Sequence, residues 1–386
     1  MPAPDTSVKF LHSAMLGAPS LSGTAGTLIS VLDACLVNGF GAASVDSIAV
    51  SSGIATVTKS TGHPFEVGSV ALISGATPAG LNGEKKVLSI TSTTYTFDAE
   101  GISNQTATGS IQHRLASLGW LKSFSGTNLA AYRSADVTST QNFLRVDDTG
   151  TTNARVVGYE TMSDINTGTG PFPTSAQVSG GGFWGKSSVS GSTVRNWTLV
   201  GDSKGFYLHI NQIDNNSTGA VLFYFGDIIS RKSPDAYACY LTAPTTSYLP
   251  ATTTNGNTER VGPTPTGAYM SRSYAGIGGA IVAYRESLRL GNNSGNVDSG
   301  DVGPVYPNPV DNALLVSPIF VMENTGDVVR GSLPGVYFCP LNVAINVFSS
   351  REIVTDVSGL SGRRLRALTF LGLSSVSFVD DTGPWR

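Results

Sequence analysis

A mainly β fold is predicted by three features of this sequence. Its 45 glycines and 19 prolines are scattered with Ser, Thr and Asn between short apolar runs, which is the punctuation of turns between strands. Many of those runs alternate apolar and polar residues, the period of a half-buried strand. Hydrophobic residues make up 40% and charged residues 13%, against roughly 25% charged in an average globular domain. Low charge without low hydrophobicity is not the composition of a disordered chain. At 386 residues there is chain enough for two or three cores. The expected architecture is a large β-sandwich-like domain with a small inserted β-sandwich or barrel module and one N-terminal amphipathic helix. Residues 1–44 belong to the main domain as its N-terminal strand and helix, 45–113 form the module, and 114–386 complete the main β domain.

Taken in order, Val8–His12 reads as a strand. From Thr24 to Asn38, Leu28, Ile29, Leu32, Cys35 and Leu36 recur at steps of three and four, one face of a helix. Ser22 and Thr24 are candidate N-caps and Gly39 a candidate C-cap. Six short runs follow in the module: Ser47–Val50, Ile54–Lys59, Ser69–Ile73, Lys86–Ile90, Tyr95–Asp98 and Thr108–Gln112. Turns such as Ser52-Gly53 and Asn82-Gly83 separate them. In the main domain the candidate strands are Ala131–Ser134, Asn142–Asp147, Ala154–Glu160, Trp197–Gly201, Phe206–Ile210, Ala220–Ile229, Ala280–Arg285, Leu314–Phe320, Arg364–Thr369 and Ser377–Asp380. Ala243–Met270 and Asn292–Pro309 read as long surface loops. No repeat of twenty to fifty residues is visible, which argues against propellers and solenoids.

Composition also narrows function. The net charge is −3 and no Lys/Arg block tracks a phosphate backbone, so no nucleic-acid partner is expected. The densest basic group, Arg363-Arg364-Leu365-Arg366, reads as one face of a late strand or turn. Cys35, Cys239 and Cys339 are odd in number, far apart and set among apolar residues, so they read as small buried hydrophobes rather than disulfides or metal ligands. No secretory signal is expected, and no apolar run approaches the ~20 residues that span a bilayer, so no membrane partner is expected either.

The chemistry-bearing patterns are weak. Gly201-Asp202-Ser203-Lys204-Gly205 fits the G-x-S-x-G of a nucleophile elbow, but that pattern needs a strand-turn-helix. Here both flanks look like strands, so the five residues read as a hairpin, with His209 half-buried on the second strand. The four histidines, His12, His63, His113 and His209, show no ligand spacing, so no metal and no cofactor is expected. Asp147, Glu160 and Asp164 are the carboxylates a glycosidase pair would draw on. The pairs Asp147-Asp148 and Asp380-Asp381 otherwise read as solvated strand ends and turn caps. Asp214-x-Asn216-x-Thr218-Gly219 begins like a calcium loop, but Phe225 stands where its closing Glu would be. Asp298 and Asp301 are a further weak cation candidate.

Aromatic residues beside Gly or Pro can anchor a partner chain or stack on a sugar. The candidate interface residues are Trp120, Trp184, Tyr269 and Trp385, while Trp197 reads as core. Trp385, one residue from the end of the sequence, implies a terminus pinned in a pocket of its own or a neighbouring subunit.

Several stretches resemble a family of tailed-bacteriophage virion structural proteins. They are Val8-Lys-Phe-Leu-His-Ser-Ala-Met-Leu-Gly-Ala-Pro19, Leu21-Ser-Gly-Thr-Ala-Gly26, Leu32-Asp-Ala-Cys-Leu-Val-Asn-Gly-Phe-Gly41, Gly119-Trp-Leu-Lys-Ser-Phe-Ser-Gly-Thr-Asn128, Ala131-Tyr-Arg133, Gly158-Tyr-Glu-Thr-Met-Ser-Asp164, Phe172-Pro-Thr174, Leu333-Pro-Gly335 and Gly383-Pro-Trp385. The resemblance implies a non-enzymatic component of the tail or baseplate. It would assemble in the bacterial host cytoplasm with other virion proteins and with copies of itself as a homo-oligomer. It carries over no catalytic residue. A receptor-binding protein at the tail tip, contacting a host surface receptor or glycan, and a capsid decoration protein are the alternatives.

Overall fold

A computed structural model describes residues 4–213, 220–246, 267–287, 305–308, 310–323, 328–339, 342–343, 347–370 and 375–386. The fold is mainly β. A thirteen-stranded sheet runs in the spatial order Lys9–His12, Trp197–Gly201, Gly205–Asn211, Ala220–Asp227, Cys239–Thr242, Ala268–Met270, Ile281–Ser287, Ser317–Glu323, Val328–Phe338, Ser375–Asp380, Leu365–Phe370 and Ile353–Val354, with Ile229–Ser230 pairing beside Val328–Phe338. Gly205–Asn211 and Ala220–Asp227 are buried along their whole length, so both of their faces must be covered.

One face is covered by a five-stranded antiparallel sheet of Trp120–Gly126, Leu129–Ser134, Phe143–Asp147, Asn153–Tyr159 and Gly182–Gly185. Its Trp184 stacks on Phe223 at 5.1 Å and meets Phe206 edge-on, while Trp120 packs against Phe206 and Phe225. The other face is covered by the far half of the same long sheet, which curls back over it. Tyr207 Oη donates to the Pro334 carbonyl at 2.8 Å, and His209 Nε2 lies 3.3 Å from the Thr369 carbonyl oxygen. The result is three packed layers, a sandwich thickened by a sheet folded on itself.

Residues from Phe40 to Leu115 build a separate eight-stranded sheet, ordered Phe40–Ser44, Gln112–Leu115, Val70–Ser74, Gly83–Ile90, Thr94–Asp98, Ile54–Thr58, Ser47–Ser51 and Gln105–Thr106. Strand alternation sends Ile48, Val50, Ala55, Val57, Tyr95 and Phe97 inward, while Thr56, Thr58, Thr94 and Thr96 lie half-buried on the outer face. The expected strand Thr108–Gln112 is not formed. The chain pairs instead over Gln105–Thr106 and Gln112–Leu115.

The helix differs from expectation at its start. Regular turns cover Thr27–Leu32 and pass into a π-helical segment, Asp33–Asn38, closed by Gly39 at φ 70°. The Gly39 N–H reaches back five residues to the Ala34 carbonyl at 2.8 Å. Neither Ser22 nor Thr24 is the N-cap. That position is Gly26 at φ 82°, a left-handed conformation that favours glycine. The acceptor that a capping side chain would provide comes from Asp148, whose Oδ2 takes the N–H of Leu28 at 2.8 Å and of Ile29 at 3.2 Å.

The expected loop 243–270 is also corrected at its ends. Ala243 is buried, and Ala268–Met270 is a buried strand paired with Cys239–Thr242; residues 247–266 lie outside those described. Of the Asn292–Pro309 stretch, Val305–Tyr306 pairs in parallel with Asn342–Val343, and 292–304 and 309 are outside the described residues.

Candidate functional site

The catalytic-looking patterns resolve into scaffold. Gly201–Gly205 is the turn between antiparallel strands Trp197–Gly201 and Gly205–Asn211. Asp202 Oδ1 accepts from the backbone N–H of Lys204 at 2.8 Å and of Gly205 at 2.9 Å, while Ser203 Oγ donates to Asp136 at 2.9 Å. That hydroxyl sits on a capped hairpin, not on a strained elbow. His209 is fully buried rather than half-buried, and burial pushes its pKa down to about 4. Glu160 is engaged by Arg272 through two parallel 2.7 Å bonds, Asp147 accepts from Thr149 Oγ1 at 2.7 Å, and Asp164 accepts from the Asn166 N–H at 2.7 Å. Among the described residues no group of His, Cys, Asp and Glu could hold a metal ion. Asp214, Asn216 and Thr218, and likewise Asp298 and Asp301, lie outside those residues. All three cysteines are buried.

The four candidate interface aromatics all lie in this chain's own core. Trp120 opens a strand and donates its indole N–H to the Asp202 carbonyl at 3.0 Å; Trp184 donates to the Thr242 carbonyl at 2.7 Å. Tyr269 is the buried centre of the strand Ala268–Met270. Trp385 donates to the Asp380 carbonyl at 2.8 Å and lies edge-on to Tyr207. Gly119 precedes the strand that Trp120 opens, whereas Gly182 and Gly185 lie within the strand that carries Trp184. Arg386 then bonds the Asp227 carbonyl at 2.8 Å and Asp202 Oδ1 at 3.0 Å. The tail is therefore pinned on its own subunit.

The polar residues that the fold brings together form two clusters. The first is a charged junction between the eight-stranded module, the first strand and the last strands. Glu66, from the module, is 2.7 Å from His12 Nε2 and 3.3 Å from Arg366 Nη1. His12 Nδ1 accepts from Arg351 Nη1 at 3.1 Å and from the Ala14 N–H at 3.2 Å. With Nδ1 occupied as an acceptor, the ring's single proton is on Nε2, donated to Glu66. His12 is thus neutral, and burial lowers its pKa below the ordinary value. The hydrogen bond from His12 is the main cause holding the Glu66 carboxyl down at about 2. Asp381 accepts from Arg364 Nε and Arg366 Nε, both at 2.6 Å, and Asp380 accepts from Arg363 at 3.0 Å. The expectation of solvated Asp380 and Asp381 is thereby corrected: both are buried, because the hairpin register sets Leu365 opposite Asp380 and Arg366 opposite Val379. Lys86 Nζ reaches the Asp381 carbonyl at 2.9 Å, and Lys9 pairs with Glu84 at 2.9 Å.

The second cluster is Asp148 and Lys186, both with no exposed side-chain surface. Lys186 Nζ donates to Asp148 Oδ1 and to the Thr24 carbonyl at 2.8 Å. Asp148, expected at a solvated strand end, is instead the cap of the helix. Lys186 carries no signal in the sequence beyond following the apolar Phe183-Trp184-Gly185. In a chain with only 24 Lys and Arg, a lysine in such a setting is worth considering as buried.

No family model matches the chain, and no curated protein matches it. Among solved structures the chain is similar to the phage phi92 endosialidase, at 11% identity over 89% of this chain and 52% of that one, with a TM-score of 0.18. The chain spans about half the length of that protein, and a superposition so loose carries no argument about fold or activity.

Proposed function

We propose that this chain is a structural component of a tailed-phage virion, in the tail or baseplate, that works by assembling with other virion proteins and with copies of itself and performs no catalysis. The phage assignment draws on the sequence resemblance. The structural reading draws on one observation: the described side chains best suited to chemistry, Glu160, Asp148, Asp381, Lys186, His12 and Ser203, are each committed to a partner within the fold. Three layers and a module cross-tied in this way make a stiff building block. An exposed reactive group would instead mark a catalyst. The test is a reconstruction of the intact particle. Density for this chain in a symmetric ring or trimer on the tail supports the reading, and its absence from purified particles removes it.

A second reading, receptor binding at the tail tip, is favoured by the module's outer face. There Thr56, Thr58, Thr94 and Thr96 line neighbouring strands, and Ser89 Oγ lies 2.7 Å from Thr96 Oγ1. Short hydroxyl side chains on a sheet offer donors and acceptors to a glycan. Isolated protein that fails to compete with particles for adsorption to host cells eliminates it.

A further inference from the structure

We propose that Lys186 and Asp148 join as a covalent side-chain amide, an internal cross-link between the ends of two strands of the five-stranded sheet, at the foot of the helix. Asp148 directly follows the strand Phe143–Asp147, and Lys186 directly follows Gly182–Gly185. Both are fixed at the backbone: the Asp148 N–H donates to the Asn128 carbonyl at 2.8 Å, the Asp148 carbonyl accepts from Gly26 at 2.9 Å, and the Lys186 N–H donates to the Thr152 carbonyl at 2.9 Å. The amine is already hydrogen-bonded to the carboxyl, one bond from the carbon it would attack. Two reacting groups held this way have lost most of the freedom that slows a bimolecular condensation.

The surroundings favour the forms that react. Neither side chain touches water, and burial disfavours both charges, pushing the Lys186 pKa down and that of Asp148 up. This draws the pair towards a neutral amine and a neutral acid. The Nζ lone pair adds to Cγ of the protonated carboxyl. Charge developing on Oδ2 is met by the N–H groups of Leu28 and Ile29, which already point at that atom and act as an oxyanion hole. Oδ1 leaves as water, carrying the carboxyl's own proton and one from Nζ. One C–N bond forms and one C–O bond breaks, with no oxidant and no co-reactant. The product is a neutral amide in place of two buried ionisable groups, whose desolvation is costly. Its carbonyl oxygen still accepts from the helix, and its N–H still faces the Thr24 carbonyl.

The test is the intact mass of the full-length protein under denaturing conditions, followed by a protease map. The expected result is a mass lower than the sequence by one water, with a branched peptide joining the segments that contain residues 148 and 186. Lys186→Arg and Asp148→Ala should each have the full mass of their sequence. A full-mass wild-type protein overturns the proposal, and so does a water loss that maps to any other site. The wild-type measurement decides the matter even if neither variant folds.

Discussion

Replacing Glu66 with glutamine removes the negative charge at the centre of the junction while keeping an acceptor for the His12 N–H. The folded protein holds this carboxyl at about 2, against an ordinary 4.5. At about 1.36 kcal/mol per unit, that difference of roughly 2.5 units sets a ceiling of ~3 kcal/mol. The side chain is 37% exposed, so solvent and salt screen the interaction, and ~1–1.5 kcal/mol is the expected contribution at pH 7. Because the folded pKa is depressed, this stability is fully present above 4.5 and is lost as pH falls towards 2. About three fifths of it is gone by pH 3 on those two values. His12 works in the same direction but starts earlier. Its folded pKa is also depressed, so the unfolded chain takes up its proton first as pH drops below 6.5. Urea denaturation of wild type and Glu66→Gln at pH 7 and pH 3 measures the difference. The gap between the two proteins should be near ~1 kcal/mol at pH 7 and shrink to under half of that at pH 3. A gap that is the same at both pH values would refute the linkage.

Three further outcomes follow from packing. Arg330 is fully buried, bonded to Asp235 through two 2.8 Å contacts and to Glu323. Arg330→Met strands two buried carboxylates and should cost ~3–5 kcal/mol, read as a lower urea midpoint. Trp385→Ala empties the pocket against Tyr207 and should cost ~3–5 kcal/mol in the same assay. A Cβ at Gly335 would sit 2.2 Å from Trp385 Nε1 at a φ of +63°. Gly335→Ala should therefore destabilise by ~1–3 kcal/mol, and part of that cost should vanish in the Trp385→Ala background, giving a non-additive double-mutant cycle.

Much of the fold was legible where interactions are local. The hairpin at Gly201–Gly205 and the core placement of Trp197 followed from strand alternation and turn residues. So did most strands of the module, whose partners are close in sequence. Features that depend on distant pairing were not legible. The helix is capped by Asp148, roughly 120 residues away, so no inspection of Ser22 or Thr24 could reveal it. Arg363–Arg366 and Asp380-Asp381 were each noticed, yet their pairing follows from a hairpin register that the sequence does not announce. The eleven-residue strand Val328–Phe338 is absent from the expected strands, and its Gly331, Pro334 and Gly335 interrupt the apolar alternation by which a strand is read. Gly335 and Pro334 are where that strand accommodates the Trp385 ring and Tyr207.

The first strand of the chain pairs with a strand that emerges much later, Lys9 opposite Gly201 and His12 opposite Thr198. At an elongation rate of about 5–20 residues per second, the roughly 190 residues between them take on the order of 10–40 s to synthesise. During that interval Lys9–His12 has no edge to join, while the module's hairpins, made of near neighbours, can close as they leave the ribosome. In the folded chain the module meets that segment through Lys9, paired with Glu84, and His12, bonded to Glu66. A chaperone acting on this protein during synthesis would find its target in that waiting segment.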